Sequence, residues 1–463
     1  MYRLKEKKSQ IFVALVANII GICWGTTMGW TSPVLANLIS KNYRINSPLD
    51  YVPSSDEQSN IGCMLPIGAF FSAFLAAPLL TKIGRKFTML ISSLFFIISY
   101  TILIATRGIS GIYLARLFQG LGNGMVMILL PIYVGEISSP ECRGILTSFI
   151  HISSVIGIFY VYCLGPFLDY ITFQVLCLIL PILFLILFAF MPETPHYYIT
   201  KGKRHRAYKS LKFLRSDANI YNEYHEIENF VEESIKQKTK FKDIFRDEGN
   251  RKALFIGVGL ILLQSLIGAD AVLFYGEIIF EKSNTGIDSA IATIIIGAVM
   301  IISSLITLIF VDKTGRKCLL LTSSIGMFFS ICILAFYFLL DEQKIISNLN
   351  WIPIPSLISF ITFYCIGYGT LPYTILGEMF APEIKLIAVS MAISISWLGD
   401  FIVTKSFLPL EGILHIYGVF GLFAAFSFIS FLFTKFCVIE TKGLSLQEIQ
   451  LKLRGIRSGY ETI

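Results

Sequence analysis

Apolar residues run along this chain in blocks of about twenty, long enough as helices to cross a hydrocarbon layer about 30 Å thick. Charged and turn-forming residues separate the blocks, which fall near 11 to 38, 59 to 80, 87 to 106, 111 to 134, 144 to 168 and 171 to 191. After a polar stretch from 192 to 250, six more lie near 252 to 280, 287 to 311, 318 to 340, 351 to 377, 386 to 409 and 413 to 436. None alternates strictly with period two, and an open sheet would leave backbone groups unsatisfied in lipid. The pattern therefore predicts an all-α membrane protein with twelve transmembrane helices.

The two sets of six repeat one another. Gly84-Arg85-Lys86 returns as Gly315-Arg316-Lys317, Glu136 with Arg143 returns as Glu378 with Lys385, and Pro192-Glu193-Thr194 returns as Ile439-Glu440-Thr441. Each pair occupies the same end of a corresponding span, so the second half duplicates the first. Two homologous halves around a central path are the plan of alternating-access transporters. The expected organisation is an N-terminal half (1–191), a linker with amphipathic helices (192–250), a C-terminal half (251–437) and a cytoplasmic tail (438–463). The linker reads either as a solvated connection or as a gate element.

Composition narrows the function. Of 463 residues 55% are hydrophobic and 15% charged, with mean hydropathy +0.70, which excludes an ordinary soluble enzyme. The sequence offers no nucleophile-base set, phosphate loop or metal-type cluster, so we expect translocation rather than catalysis, with no cofactor and no metal. The net charge of +7 does not point to nucleic acid, because the bases sit in alternate loops. Thirty-one Lys and Arg fall on one side and 5 on the other, which predicts cytoplasmic termini. The basic start, Met1 to Gln10, imitates a signal peptide, but no A-x-A-like cleavage site follows, so the first block is expected to remain a span. Nine cysteines without metal spacing read as small core residues. Arg116 lies inside a span, where a charge costs at least about 2.5 to 3.5 kcal/mol unless it meets water or a partner. It should face the bundle interior, in a functional role or tied to backbone carbonyls.

PETPHYYI (Pro192 to Ile199), GEISSPECRG around Glu136 and Arg143, DKTGRK (Asp312 to Lys317), YLARLFQG around Arg116 and QSLIGADAVLFY (Gln264 to Tyr275) resemble, in that order, the motifs of the sugar porters of the major facilitator superfamily. The resemblance covers essentially the whole chain. GTTMGWTSPVL (Gly25 to Leu35) and LGEMF (Leu376 to Phe380) look most like the insect facilitated trehalose transporter branch. The resemblance implies a major facilitator fold of two pseudo-symmetric six-helix halves in the plasma membrane, carrying a hexose or a trehalose-like disaccharide down its gradient. The partners it implies are a small-molecule sugar and the lipid bilayer, with a monomer sufficient and the oligomeric state open.

The charges at the cytoplasmic helix ends, Arg85, Glu136, Arg143 and Glu193 with Arg316, Glu378, Lys385 and Glu440, suit a gate latch; the alternative is that the bases only obey topology. Exposed pairs are worth about 0 to 1 kcal/mol each, enough to tune a nearly balanced equilibrium. Thr81 and Ile439 depart from the family pattern, which carries an acid and a Pro there. Proton-coupled relatives set an Asp against the intramembrane Arg, where this chain has Thr27, and that argues against proton symport.

For the sugar site the resemblance points to Gln264, Ser265, Asp270, Phe274 and Tyr275 on span 7, His151 on span 5, Met300 on span 8, Tyr373 on span 10, and Ser396 with Trp397 on span 11. Packing competes as the role of each. Several family amides are replaced, Asp270 standing where the pattern has Asn. Its carboxylate could accept from sugar hydroxyls, pair structurally with a group such as His151, or bind a proton. A transport-defective sugar sensor and a transporter, uniport or proton-coupled, of another polyol or small organic solute stay open. Gly- and Pro-rich runs at 120–131 and 366–372 admit close helix contact and local unwinding.

Overall fold

The computed structural model describes residues 8–40, 47–215, 220–236, 245, 247–283, 286–344, 349–380, 382–444 and 446–454. All regular structure among them is helical. The first span is α1 (Lys8–Gly29) continued by α2 (Thr31–Ile39), and the next five are α3 (Ser55–Lys82), α4 (Arg85–Ala105), α5 (Ile109–Ile137), α6 (Pro140–Leu164) and α7 (Tyr170–Ala189). Three short helices follow, α8 (Pro195–Thr200), α9 (Arg204–Leu214) and α10 (Ile220–Lys236). The second half holds α11 (Glu248–Leu266), α12 (Ala269–Lys282), α13 (Ser289–Thr314), α14 (Arg316–Glu342), α15 (Pro353–Ile366), α16 (Leu371–Met379) and α17 (Pro382–Cys437), and α18 (Leu446–Leu453) lies in the tail.

Two expected spans are each split, and two others meet end to end. Gly268 breaks span 7 between α11 and α12 with φ 89°, a left-handed conformation that glycine adopts without steric cost. Span 10 is interrupted between Ile366 and Leu371, inside the Gly-rich run. Spans 11 and 12, expected to be separated near 410–412, are two helices that meet without a loop at His415, with φ 57° and ψ 168°, and α17 names the pair.

The first half packs α3 on α5 and α1 on α6, and the second packs α14 and α11 on α17. Glycines bring α1 and α6 into backbone contact: a Cβ on Gly25 would lie 1.8 Å from the Ser154 carbonyl oxygen, and one on Gly157 would lie 2.1 Å from that of Ile22. Between the halves, α17 lies on α3, α13 on α6 and α12 on α2. Large apolar side chains such as Phe71, Phe74, Ile145 and Phe436 point outward, as a lipid-facing surface requires.

The repeated motifs fold into repeated geometry at the face that carries the linker and tail, here called the basic face. Gly84 (φ 101°, ψ 176°) and Gly315 (φ 93°, ψ 157°) cap α4 and α14 in a region essentially reserved for glycine. Each leaves room for a glutamate that accepts the orphan N–H groups of the helix start. The Glu193 carboxylate accepts from Lys86 N at 3.0 Å, and Glu440 accepts from Arg316 N and Lys317 N, both at 3.0 Å. Beside them, Arg85 pairs with Glu136 at 2.8 Å and Arg316 with Glu378 at 3.2 Å. These pairs close within each half, whereas a latch was expected across the gap between halves. Each motif supplies both partners from helix ends of one bundle, and that is where they meet. Arg143 is exposed, and the side chain of Lys385 lies outside the described residues.

The linker docks on the first half through Arg215, which donates to the carbonyl of Ile137 at 2.8 Å and to Gln10 at 3.1 Å while pairing with Glu223. The tail docks on the second half, where Gln450 donates to the carbonyl of Met379 at 2.7 Å and Arg454 pairs with Asp247 at 2.8 Å.

The two capping glutamates differ in protonation. Burial dominates at Glu193 and, against the N–H groups of Thr194 and Lys86 and the charge of Arg85, holds its carboxyl up at about 7. Burial also presses Glu440 upward, but the N–H groups of Lys442, Arg316, Lys317 and Thr441 together outweigh it and hold that carboxyl below its ordinary value. A carboxyl raised from 4.5 to about 7 on folding contributes stability that is complete below 4.5 and declines as pH rises through 7. Thermal midpoints of the detergent-purified protein should therefore fall across that window, and Glu193→Gln should flatten the fall. An unaltered slope in the variant would assign the titration elsewhere.

Candidate functional site

Midway along the spans, between the two halves, lies a cavity of about 90 Å³. The first half contributes Trp24 and Met28 from α1, Met127 from α5, and His151, Ser154, Val155 and Ile158 from α6. The wall from the second half is more polar. It is built around the two helix breaks, with Gln264 and Ser265 on the last turn of α11, Asp270 and Leu273 just past Gly268, Tyr364 before the break in span 10 and Gly369 within it. Tyr373, Met300, Ser396, Trp397 and Asp400 complete it.

Hydrogen bonds fix part of this wall and leave part free. Gln264 donates through Nε2 to the Tyr364 hydroxyl at 3.3 Å, and the Tyr373 and Ser396 hydroxyls lie 3.4 Å apart. Ser265 donates to the Ser396 carbonyl at 3.3 Å. The carboxyls of Asp270 and Asp400 lie within hydrogen-bonding reach of each other on this wall, with Ser265 beside Asp400. Four buried polar atoms on lining residues have no partner: Trp24 Nε1, His151 Nε2, Gln264 Oε1 and Trp397 Nε1. Orphaned buried polar atoms are costly and rare in native cores, so a cluster of both donors and acceptors marks a place where a hydroxylated ligand would satisfy them. Indole and phenol faces next to them suit the apolar faces of a sugar ring.

Of the residues singled out from sequence, His151, Gln264, Ser265, Asp270, Met300, Tyr373, Ser396 and Trp397 come together on this cavity. Phe274 and Tyr275 do not. Both are buried off the wall, Phe274 with its ring 5.6 Å from the Arg116 guanidinium and Tyr275 stacked on Phe407 with its hydroxyl donating to the Thr404 carbonyl at 2.8 Å. α12 has one residue with non-helical torsions, Tyr275 (φ −121°, ψ 15°). Asp270 is set beside Asp400 instead of paired with His151, whose Nε2 has no partner.

Sequence reasoning missed Asp400, Trp24 and Tyr364. Asp400 had a signal: a carboxylate inside an apolar block is a site candidate by default. Trp24 and Tyr364 had none, because an aromatic in a span is ordinarily packing.

Arg116 is fully buried. It donates to the carbonyls of Ile61 (3.2 Å) and Thr27 (2.8 Å), to Gln119 Oε1 (2.7 Å) and to the Thr31 hydroxyl (2.7 Å), with the Trp30 ring 5.2 Å away. Its charge is thus spread over neutral acceptors on four helices, α1, α2, α3 and α5. On the same side of the cavity, away from the basic face, hydrogen bonds cross between the halves. Tyr162 donates to the Leu273 carbonyl at 2.8 Å, Glu277 N to the Ser32 hydroxyl at 3.0 Å and Lys405 to Asn60 Oδ1 at 2.7 Å. The face opposite the basic one is closed.

The family model described as Sugar (and other) transporter matches residues 13–453. The facilitated trehalose transporter Tret1 of Apis mellifera ligustica is 33% identical over 451 residues, covering 96% of this chain and 88% of that protein. The protein of the same name from Bombyx mori is 32% identical over 448 residues, covering 96% and 87%. Among solved structures, the proton:xylose symporter XylE bound to 6-bromo-6-deoxy-D-glucose superposes with a TM-score of 0.77 at 22% identity, covering 96% of this chain and all of that one. The inward open conformation of the xylose transporter XylE from E. coli gives 0.78 at 20% identity, covering 96% and 99%. The twelve-span arrangement is thus the major facilitator fold. With a family model spanning nearly its whole length and relatives above 30% identity, this multi-pass membrane protein belongs to the sugar transporter family, whose members are carriers and not enzymes.

Proposed function

We propose that the protein carries a hexose or a trehalose-like disaccharide across the plasma membrane by facilitated diffusion, with both termini and the linker in the cytoplasm. The observation that carries this is the unsatisfied set of donors and acceptors at Trp24, His151, Gln264 and Trp397, placed between two halves that can part. The names of the trehalose transporters support the substrate class. Saturation of Arg116 by neutral acceptors, with the Thr27 hydroxyl engaged by Asn123 at 2.9 Å, supports uniport, since the guanidinium needs no carboxylate.

In this reading the basic face is cytoplasmic and the structure is closed to the outside. The cavity of about 90 Å³ is small beside the roughly 300–1,000 Å³ of ordinary ligand pockets. Substrate therefore enters only as the halves separate. His151, Gln264, Ser265, Asp270, Tyr373, Ser396 and Trp397 contact sugar, and Phe274 and Tyr275 support the wall from behind. The pairs of Arg85 with Glu136 and Arg316 with Glu378, together with Glu193 and Glu440, brace each half so that it moves as a body, and the exposed Arg143 is available to meet the other half when the cytoplasmic side closes.

Uptake of labelled hexoses and disaccharides into vesicles containing the purified protein tests the function: saturable, non-concentrative uptake is expected, and no uptake of any sugar would reject it. Gln264→Ala should raise the half-saturating concentration roughly tenfold, the worth of about one lost hydrogen bond with its partner left unpaired. Glu378→Ala should lower the transport rate with binding nearly intact, because it loosens the brace without touching substrate; loss of binding in a folded variant would contradict that role. For orientation, tags at Ile220 and the C-terminus should be reached only from the cytoplasm and one near Asp50 only from outside. Protection of the Ile220 and Asp50 tags on the same side would reverse the topology.

A further inference from the structure

The contact between Asp270 and Asp400 has a chemical requirement that the rest of the wall does not. Asp270 and Asp400 line the same cavity with their carboxyls within hydrogen-bonding reach of each other. A carboxylate only accepts hydrogen bonds, so such a pair bonds only when one of the two carries a proton. The groups around them do not supply a different charge balance. The same cavity is lined by Gln264 and Ser265 of α11, His151 of α6, and Tyr364 and Tyr373 of α15 and α16, and no Lys or Arg lines it among the described residues. Lys405, further along α17, is engaged with Asn60. A fully ionised pair would set two like charges against each other in a cavity of about 90 Å³ with no cation facing them.

We propose that Asp270 and Asp400 share a single proton and that this monoprotonated pair is the form of the cavity that binds substrate. The inference rests on the reading of this cavity as the sugar site. With one proton the pair carries one negative charge instead of two: its remaining oxygens accept from sugar hydroxyls, and the proton can turn from the partner carboxylate to a sugar oxygen. When the proton leaves to bulk water through the open side, the donor is lost and a second negative charge appears. The pair then repels itself and no longer donates, so affinity falls. The site thus combines sugar recognition with proton sensing while the proton can stay with the protein through the transport cycle.

Two measurements on the purified full chain separate this from the transport reading. The first is pH-titrated difference infrared spectroscopy of the sugar-free protein. The measurement is made in a Glu193→Gln background, which removes the neutralisable carboxyl of the basic face. A protonated-carboxyl component should disappear there on the alkaline side, and Asp270→Asn and Asp400→Asn should each remove that component. Glu277→Gln, which alters another buried carboxyl of α12, should leave it in place. A protonated-carboxyl signal that neither Asp variant diminishes, or none in this background at any pH, overturns the proposal whether or not any sugar is carried.

The second is uptake of labelled trehalose and D-glucose into vesicles at equal internal and external pH, from about pH 5 to about 9. Native affinity should fall about tenfold per pH unit once the shared proton is gone. Asp270→Asn/Asp400→Asn, which keeps shape and donors, should transport without that dependence. Persistence of the dependence in the double variant, a flat native profile, or uptake that rises with pH or requires Na⁺ would each overturn it.

Discussion

In a hydrocarbon layer every backbone N–H and C=O must find its partner inside the protein, and the architecture follows from that requirement. It compels helices along the lipid-facing length of every span. It also dictates where a helix is allowed to break. The interruptions at Gly268 and at 367–370 occur against protein and cavity, where freed groups are answered at once. Tyr368 N donates to the Ser323 hydroxyl at 3.2 Å, Gly268 N to the Ser265 carbonyl at 3.2 Å, and the Gly369 carbonyl accepts from Gln264 at 3.5 Å. The breaks thereby place Gln264, Asp270 and Tyr373 around one space, which continuous helices would have spread along the span.

Duplication explains the basic face equally physically. Glycine at 84 and 315 exists for room as much as for torsion: a Cβ would lie 2.3 Å from a Glu193 oxygen and 2.7 Å from one of Glu440. The two copies have nevertheless diverged in environment. Glu193 is deeply buried, with Ser210 of α9 packed over its backbone carbonyl, while Glu440 keeps contact with solvent and collects more N–H donors. One geometry therefore carries a neutralisable carboxyl in the first half and a firmly ionised one in the second.

Much of this was legible in the sequence because it rests on periodicity and local rules. Span count follows from block length, duplication from the paired motifs, and the unwinding in span 10 from IGYGTLP. What failed depended on rotation about a helix axis. Phe274 and Tyr275 follow Asp270 by four and five positions, close to one turn, yet they pack on Arg116 and on Phe407 instead of lining the cavity, and no spacing encodes that. The partner of Asp270 lies 130 positions away on a different helix, beyond any spacing argument. The joint between spans 11 and 12 lies at His415, a few positions beyond the polar residues that suggested it, because one residue with φ 57° turns the chain without a loop.

The joints between the halves on the closed face are hydrogen bonds to carbonyls, a hydroxyl and an amide, whereas the braces on the basic face are partly exposed ion pairs. Mobile salt screens the second kind over a Debye length of about 8 Å at physiological ionic strength and hardly touches the first. The two faces are therefore unequal in what the surrounding solution can adjust. Ionic strength loosens the ends of each half at one membrane surface while leaving the seam at the other intact, so the electrolyte acts on this carrier as a one-sided control.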